Sequence, residues 1–264
     1  MADLRIFSYL PNPRIWKSVI ASRFNGVELE VRGDEPKNLA NWLWDFDARP
    51  LSEVSEDEKQ AYEREARTGF SGKLYKTDAF VAANPLGTVP CAFSPDGKTG
   101  IFESNSIMRA VARLGEHKYP LYGSTPYEAA RIDGFLDISL VFARDSQIYL
   151  LALGGKSVTP DIHASAGKAF HAWMSGIEQA LSNGEFLVGT QTTLADICVV
   201  CEFALFSRER KFAELLGEQG LAVISAMDQY PRVQAFLERL CKHPAFAPEL
   251  EGAIPPLPAN SDLV

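Results

Sequence analysis

The sequence predicts an α/β domain followed by an all-helical domain, and three observations carry that prediction. Strand, helix and strand patterns fill residues 4–31 with only short turns between them. A hairpin pattern running straight into a helix occupies residues 88–107. From about residue 124 onward, apolar residues recur at three- and four-residue spacing over long runs. At 264 residues the chain exceeds a usual single domain, so two domains are expected, over about 1–117 and 124–264.

Taken in order, Leu4-Arg5-Ile6-Phe7-Ser8-Tyr9-Leu10 alternates and reads as a strand. Pro11-Asn12-Pro13 ends it and opens a helix from Arg14 to Phe24, which stops at Asn25-Gly26. Val27 to Val31 alternates again, and the short connections make the two strands parallel neighbours joined by a right-handed crossover. An acidic insertion near 47–76 follows, in which Ser55 and Glu58 have capping-box spacing. The charged run from there to Arg67 is expected as an exposed helix, serving either as a solvated insertion or as a lid or partner contact. With the hairpin and the helix after it, the first domain reads β-α-β-(α)-β-β-α, a thioredoxin-like order. A connector from Gly115 to Thr125 leads to long helices over Tyr127 to about Ala152 and Ile162 to Leu181. Thr193 and Asp196 then stand as N-cap and third helical residue before an apolar run, with Gly189 permitting a tight approach.

Chemistry concentrates in the hairpin, Thr88-Val89-Pro90-Cys91-Ala92-Phe93, a Pro-Asp-Gly turn, then Ile101-Phe102-Glu103-Ser104-Asn105-Ser106-Ile107. Ser104 is expected to open the helix, which sets a carboxylate and a hydroxyl at a helix N-terminus. Such a terminus has unpaired N–H groups and partial positive charge, so it suits an anionic ligand group. A cis bond before Pro90 would turn the backbone of Val89 outward to pair with an extended peptide. Strand edge, carboxylate and helix terminus together fit a short peptide carrying both an ammonium and a carboxylate.

These residues resemble the glutathione-binding motif of the glutathione transferase superfamily, and "Leu-Val-Gly" at 187–189 with "Thr-Leu-Ala-Asp" at 193–196 resembles that family's helix-capping element. The resemblance implies the glutathione transferase fold, with Val89 and Pro90 holding the cysteinyl part of glutathione and Glu103 and Ser104 its γ-glutamyl end. It implies a transferase or lyase that activates the glutathione thiol for attack on a small organic electrophile, and commonly a dimer, whether homodimer or heterodimer. The segments "Tyr9, Asn12, Arg14, Trp16, Lys17" and "Phe-Glu-Ser-Asn-Ser-Ile", with "Thr-Leu-Ala-Asp-Ile-Cys-Val-Val-Cys", resemble more narrowly the transferase-like domain of the elongation factor 1 gamma subunit. That likeness implies an alternative, a noncatalytic scaffold for partner proteins. The chain stops soon after Pro258, which favours a free-standing enzyme over a scaffold.

A transferase of this kind needs a donor near the end of the first strand to hold the thiolate. The family's serine position, four residues before Arg14, is Leu10, which cannot donate. Two candidates remain, the amide of Asn12 and the phenol of Tyr9. Arg14 is expected on a glutathione carboxylate or bracing the domain interface. Phe142, Tyr149 and Trp173 are candidate walls of the electrophile pocket, with helix core or dimer contact as their other reading.

Composition narrows the remaining classes. A net charge of −8 supplies no basic surface for nucleic acid or an anionic membrane. No apolar run reaches the ~20 residues of a membrane span, and Met1-Ala2-Asp3-Leu4 lacks a signal peptide's pattern, so a cytoplasmic protein is expected. Cys198 and Cys201 lie in an apolar helical run and read as core, and Cys91 is expected to point into the first domain's core. His117, His163, His171 and His243 show no ligand spacing with them, so no metal is expected.

Overall fold

The computed structural model describes residues 2–66, 70, 72–115 and 119–254, and the chain divides into two compact units, 1–119 and 120–264. The expected boundary at 117, the helix end expected at Arg67 and the tail after Ile254 lie outside the described residues.

The first unit is built on β1 (Leu4–Tyr9), α1 (Pro13–Asn25) and β2 (Leu29–Asp34). Strands β1 and β2 pair in parallel, Leu4 against Leu29, as the short crossover requires. The second strand begins two residues later than its alternation predicts, because Val27 is buried in the turn while the Glu28 carbonyl accepts from the Asp3 and Leu4 amides. Gly33 is fixed by close approach: a Cβ there would lie 1.7 Å from the Ser8 carbonyl oxygen. After α3 (Asp78–Ala83) come β7 (Cys91–Phe93), β8 (Gly100–Phe102) and α4 (Ser104–Leu114), giving a sheet of order β2-β1-β7-β8.

The insertion departs from expectation. Its helix α2 (Glu56–Tyr62) has the Ser55–Glu58 capping box, but it stops at Tyr62. Chain expected as helix becomes β5 (Glu63–Glu65), antiparallel to β6 (Lys73–Lys76). With β3 (Trp42–Trp44) and β4 (Arg49–Pro50) they form a second sheet of order β4-β3-β6-β5. No apolar stripe holds residues 63–66 on a helix, whereas the strand gains the ladder, the Glu63–Lys73 ion pair at 2.7 Å and the Arg64 Nε–H bond to the Lys76 carbonyl at 3.0 Å. Nor is the insertion a solvated appendage. Its Ala48 and Leu74 share one core with Trp44, Phe7, Phe80 and Phe93, and the Trp44 indole N–H donates to the Leu39 carbonyl at 3.0 Å.

The second unit contains α5 (Pro126–Gly154), α6 (Pro160–Ala180), α7 (Leu194–Phe206), α8 (Ala213–Glu218), α9 (Pro231–Lys242) and α10 (Ala247–Leu250). Every residue of α7 is buried, which an all-round apolar sequence requires. Cys198 and Cys201 are wholly buried within it. Rings from three helices pack around it: Phe142 stacks on Trp173 at 4.2 Å and Phe170 on Phe206 at 4.9 Å. Among the described residues no helix is long and apolar enough to cross a membrane.

Asp196 closes the start of α7. Its carboxyl accepts from the Thr193 N–H at 2.7 Å, the Thr193 hydroxyl at 2.9 Å and the Leu187 N–H at 2.9 Å. Burial pushes its pKa up to about 6 although those donors pull the other way. The native state therefore binds this proton more tightly than the unfolded chain does. The carboxyl's contribution is most favourable below about pH 4 and is lost as pH rises through about 6. We expect Asp196→Ala to cost roughly 0.5–2 kcal/mol at pH 5, read as a lower melting temperature. Relative to Asp196→Asn, the wild type should lose up to about 3 kcal/mol between pH 4 and 7, which denaturant titration at both pH values checks.

Candidate functional site

The register of the main sheet brings the sequence-predicted residues of the first unit together. Phe7 pairs with Cys91, and Cys91 pairs with Phe102. Past these pairs, the end of β1 at Tyr9, the Val89–Pro90 approach to β7 and the Glu103 exit from β8 lie in one row at the same end of the sheet. Neighbouring strands lie about 4.8 Å apart, so that row spans only a short peptide's width. The Val89–Pro90 bond is cis, as is Leu10–Pro11.

The loop before Val89 is held from beneath. Asn84 is buried and its side-chain amide donates to the Thr88 carbonyl at 2.8 Å. The ammonium of Lys76, over the Trp44 ring at 4.5 Å, donates to the Gly87 carbonyl at 2.6 Å. Thus β6 of the insertion supports the strand edge that Val89 presents. Cys91 is wholly buried, with its thiol against the Phe7 carbonyl and burial pushing its pKa up, so it is packing and not a nucleophile.

At the other side of the row, Glu103 and not Ser104 is the residue preceding α4. Glu103 has φ 68° and ψ 122° and makes no side-chain cap bond. This left-handed backbone costs a non-glycine residue about 1–3 kcal/mol, and it turns the chain sharply from β8 into the helix. Ser104 therefore occupies the first helical position, where its N–H and those after it lack intrahelical partners. Glu103 is exposed, and Ser104 is 5% exposed.

Asn12 caps α1. Its Oδ1 accepts from the Arg14 N–H at 3.0 Å, its amide donates to the Ser8 hydroxyl at 3.1 Å, and the residue is wholly buried. Tyr9 is half-buried against the aromatic core, and Arg14 is half-buried in the first turn of α1. Lys17 and Asn105 complete the constellation and carry no role in the motif reading. Lys17 is wholly buried, and its Nζ donates to Asn105 Oδ1 at 2.8 Å. The signal for it was available: a lysine sits on the inward stripe of α1, between Pro13 and Ile20, where the pattern calls for an apolar residue.

In the second unit, Phe142 and Trp173 line a cleft of about 450 Å³ between α5 and α6, together with Val141, Asp145 and Lys168. Tyr149 does not line it. Its hydroxyl donates to Glu209 at 2.9 Å in the core, and burial raises its pKa. Among the described residues no group of three or more His, Cys, Asp or Glu could hold a metal ion.

Residues 164–244 match the glutathione S-transferase C-terminal domain. Elongation factor 1-gamma of Prunus avium is 29% identical over 71% of this chain and 43% of its own length. Probable elongation factor 1-gamma 1 of Arabidopsis thaliana is 25% identical over 96% of this chain and 51% of its own. The chain thus spans about half the length of the curated relatives it matches. Among solved structures, the epsilon-class glutathione S-transferase of Musca domestica superposes with a TM-score of 0.62 at 16% identity, covering 95% of this chain and 94% of that one. A glutathione transferase of Phanerochaete chrysosporium with oxidized glutathione gives 0.64 at 16% identity, covering 96% of each. At that identity the structures speak for the fold, and the sequence relatives speak for the branch. The chain therefore has the glutathione transferase fold and, in sequence, resembles elongation factor 1-gamma.

Proposed function

We propose that this chain is a glutathione-dependent transferase or lyase, with glutathione as co-substrate. The observation that carries this reading is that Tyr9, the cis Val89–Pro90 bond and the Glu103–Ser104 start of α4 lie at the same end of one sheet. In this reading the Val89 backbone pairs with the cysteinyl residue, Glu103 takes the γ-glutamyl ammonium, and Ser104 with its first-turn N–H groups takes the adjacent carboxylate. Arg14 serves a second glutathione carboxylate. The thiolate sulfur forms a bond to an electrophilic carbon; a leaving group departs with its electron pair or, in addition, the neighbouring atom takes a proton from water. Phe142 and Trp173 are the proposed apolar contacts of the electrophile, whereas the enclosed Tyr149 is given none.

Thiol activation falls to Tyr9 or Asn12. A free thiol titrates near ~8.5, and one or two aimed donors beside a helix terminus suffice to lower it by about a unit or more. Asn12 already spends its oxygen and one N–H within the chain, which leaves its second N–H, while Tyr9 ends β1 with its ring packed against the aromatic core. A second reading, a noncatalytic scaffold of the elongation-factor-gamma kind, is favoured by the sequence relatives and by the enclosure of Asn12.

Self-association is part of the proposal. The exposed face of α5 carries Ile138, Val141, Ile148 and Leu151, with Arg144 and Asp145 at its centre. An antiparallel copy centred there sets Ile138 on Leu151, Val141 on Ile148 and Arg144 on Asp145; because Ile138, Val141 and Asp145 also line the Phe142–Trp173 cleft, that copy and an electrophile are alternative occupants of this face.

Three measurements test these readings. By calorimetry, Glu103→Ala should weaken glutathione binding about ten-fold or more, and unchanged affinity would remove the site. Glu103→Gly should weaken it as much yet raise the melting temperature, because glycine adopts φ 68° without strain. On binding, wild-type protein should develop thiolate absorbance near neutral pH, with Tyr9→Phe or Asn12→Ala reducing it and cutting turnover about ten- to a hundred-fold. Binding without thiolate and without turnover on a broad electrophile panel would favour the scaffold. In sedimentation, wild-type protein should be a dimer and Val141→Glu with Ile148→Glu a monomer; a monomeric wild type would sink the α5 face.

A further inference from the structure

Asn84 closes α3 and is wholly buried. Its backbone is fixed on both sides, for its N–H donates to the Phe80 carbonyl at 2.8 Å and its carbonyl accepts from the Gly87 N–H at 2.9 Å. From that anchor the side-chain amide donates to the Thr88 carbonyl at 2.8 Å. The amide cannot be turned round, because its oxygen would then face a second oxygen. In this orientation Asn84 Oδ1 is buried without a hydrogen-bond partner, and the Cys91 thiol beside it donates to the Phe7 carbonyl at 3.9 Å. An orphaned buried oxygen is a cost to the fold, and an apolar side chain of the same size would avoid it. What the chain gains is control of one peptide plane. The Thr88–Val89 bond is trans, since the cis bonds among the described residues are Leu10–Pro11 and Val89–Pro90. In a planar trans peptide the C=O and the N–H point in opposite directions. With the Thr88 carbonyl drawn inward to Asn84, the Val89 N–H is directed away from it, and among the described residues that N–H has no hydrogen-bond partner.

We infer that Asn84 is a positioning residue that makes the site select for a carbonyl on the thiol-bearing residue of its ligand, by holding the Val89 N–H where that carbonyl accepts from it. This rests on the glutathione reading, in which the cysteinyl residue lies along Val89. The γ-glutamyl end is read elsewhere, so a ligand that keeps it and the thiol but lacks the cysteinyl carbonyl isolates the contact. A packing role would cost stability and weaken every ligand alike. The role inferred here touches only ligands with the carbonyl. In Asn84→Leu the orphaned oxygen is gone, the half-buried Thr88 carbonyl is free to turn to water, and the Val89 N–H turns with it.

The test pairs γ-glutamylcysteinamide with γ-glutamylcysteamine, which differ only in the cysteinyl carboxamide. By calorimetry, wild-type protein should bind the first about three- to ten-fold more tightly, the scale of one neutral hydrogen bond. In Asn84→Leu the ratio should fall toward unity by loss of cysteinamide affinity, with the cysteamine bound as before and the melting temperature equal or higher. Asn84→Asp, of the same size but without a donor at neutral pH, should lose the ratio too. Amide exchange followed by NMR needs no variant: the Val89 N–H should exchange freely in unliganded wild type and slow by about ten-fold or more with the cysteinamide but not with the cysteamine. A wild-type ratio of one, a Val89 amide already protected without ligand, or a folded variant that keeps the ratio would overturn the inference. Variants that do not fold would make Asn84 a packing residue and overturn it as well. A ratio that survives in Asn84→Leu leaves the glutathione reading standing, whereas a wild type that binds neither ligand nor glutathione removes that reading and this inference with it.

Discussion

The antiparallel pairing of Phe7 with Cys91 is the constraint on which the first unit turns. It sets strand β7 between β1 and β8, and it fixes which residues emerge at the end of the sheet. Side chains alternate with a period of two, so a slip of one residue would carry Cys91 and Phe93 out of the core. Burial opposes such a slip from both faces, for Phe7, Cys91, Ala92 and Phe93 are each at most 2% exposed. The strand edge available to a peptide is therefore a by-product of core packing, and its accuracy is the accuracy of that packing.

The insertion extends the same logic. Chain that could have been a loose excursion supplies Ala48 and Leu74 to the core around Trp44, whose ring packs edge-on against Phe7 at 5.5 Å and Phe80 at 5.9 Å. It also supplies Lys76, whose ammonium ties the Gly87 carbonyl to the second sheet. Residues with no place in the ligand motif thus support the loop that carries Val89. The Lys76 ammonium lies over the Trp44 ring as well, so one cation joins ring and carbonyl.

How much of this was legible in the sequence depended on how local each signal was. The α1 and α7 starts, the long helices and the Ser55–Glu58 box are written in spacing over a few residues, and they appear as read. Strand β5 was not legible, because Glu63-Arg64-Glu65 carries no apolar alternation and is held by pairing to a partner ten residues downstream. The displacement of the α4 cap from Ser104 to Glu103 turns on a backbone angle, which composition does not reveal at a non-glycine residue. In the site, the motif residues could be named from their order, whereas the enclosure of Asn12 and the position of Lys17 depend on how α1 meets the sheet and α4. Phe142 and Trp173 show as an apolar pair in sequence, but only packing tells that they stack and that Tyr149 turns inward to Glu209.

The four cysteines grade from accessible to sealed. Cys241 is half-buried on α9, whereas Cys91 in the first unit and Cys198 and Cys201 in the second are fully enclosed. A thiol reagent small enough to diffuse freely would meet Cys241 in the native protein but would reach the others only when a strand or helix opens. Cys91 lies between β1 and β8, and the other pair lies on the axial helix of the second unit. The chain thus carries a built-in reporter in each unit, and their labelling rates would give the two opening free energies separately without any introduced probe.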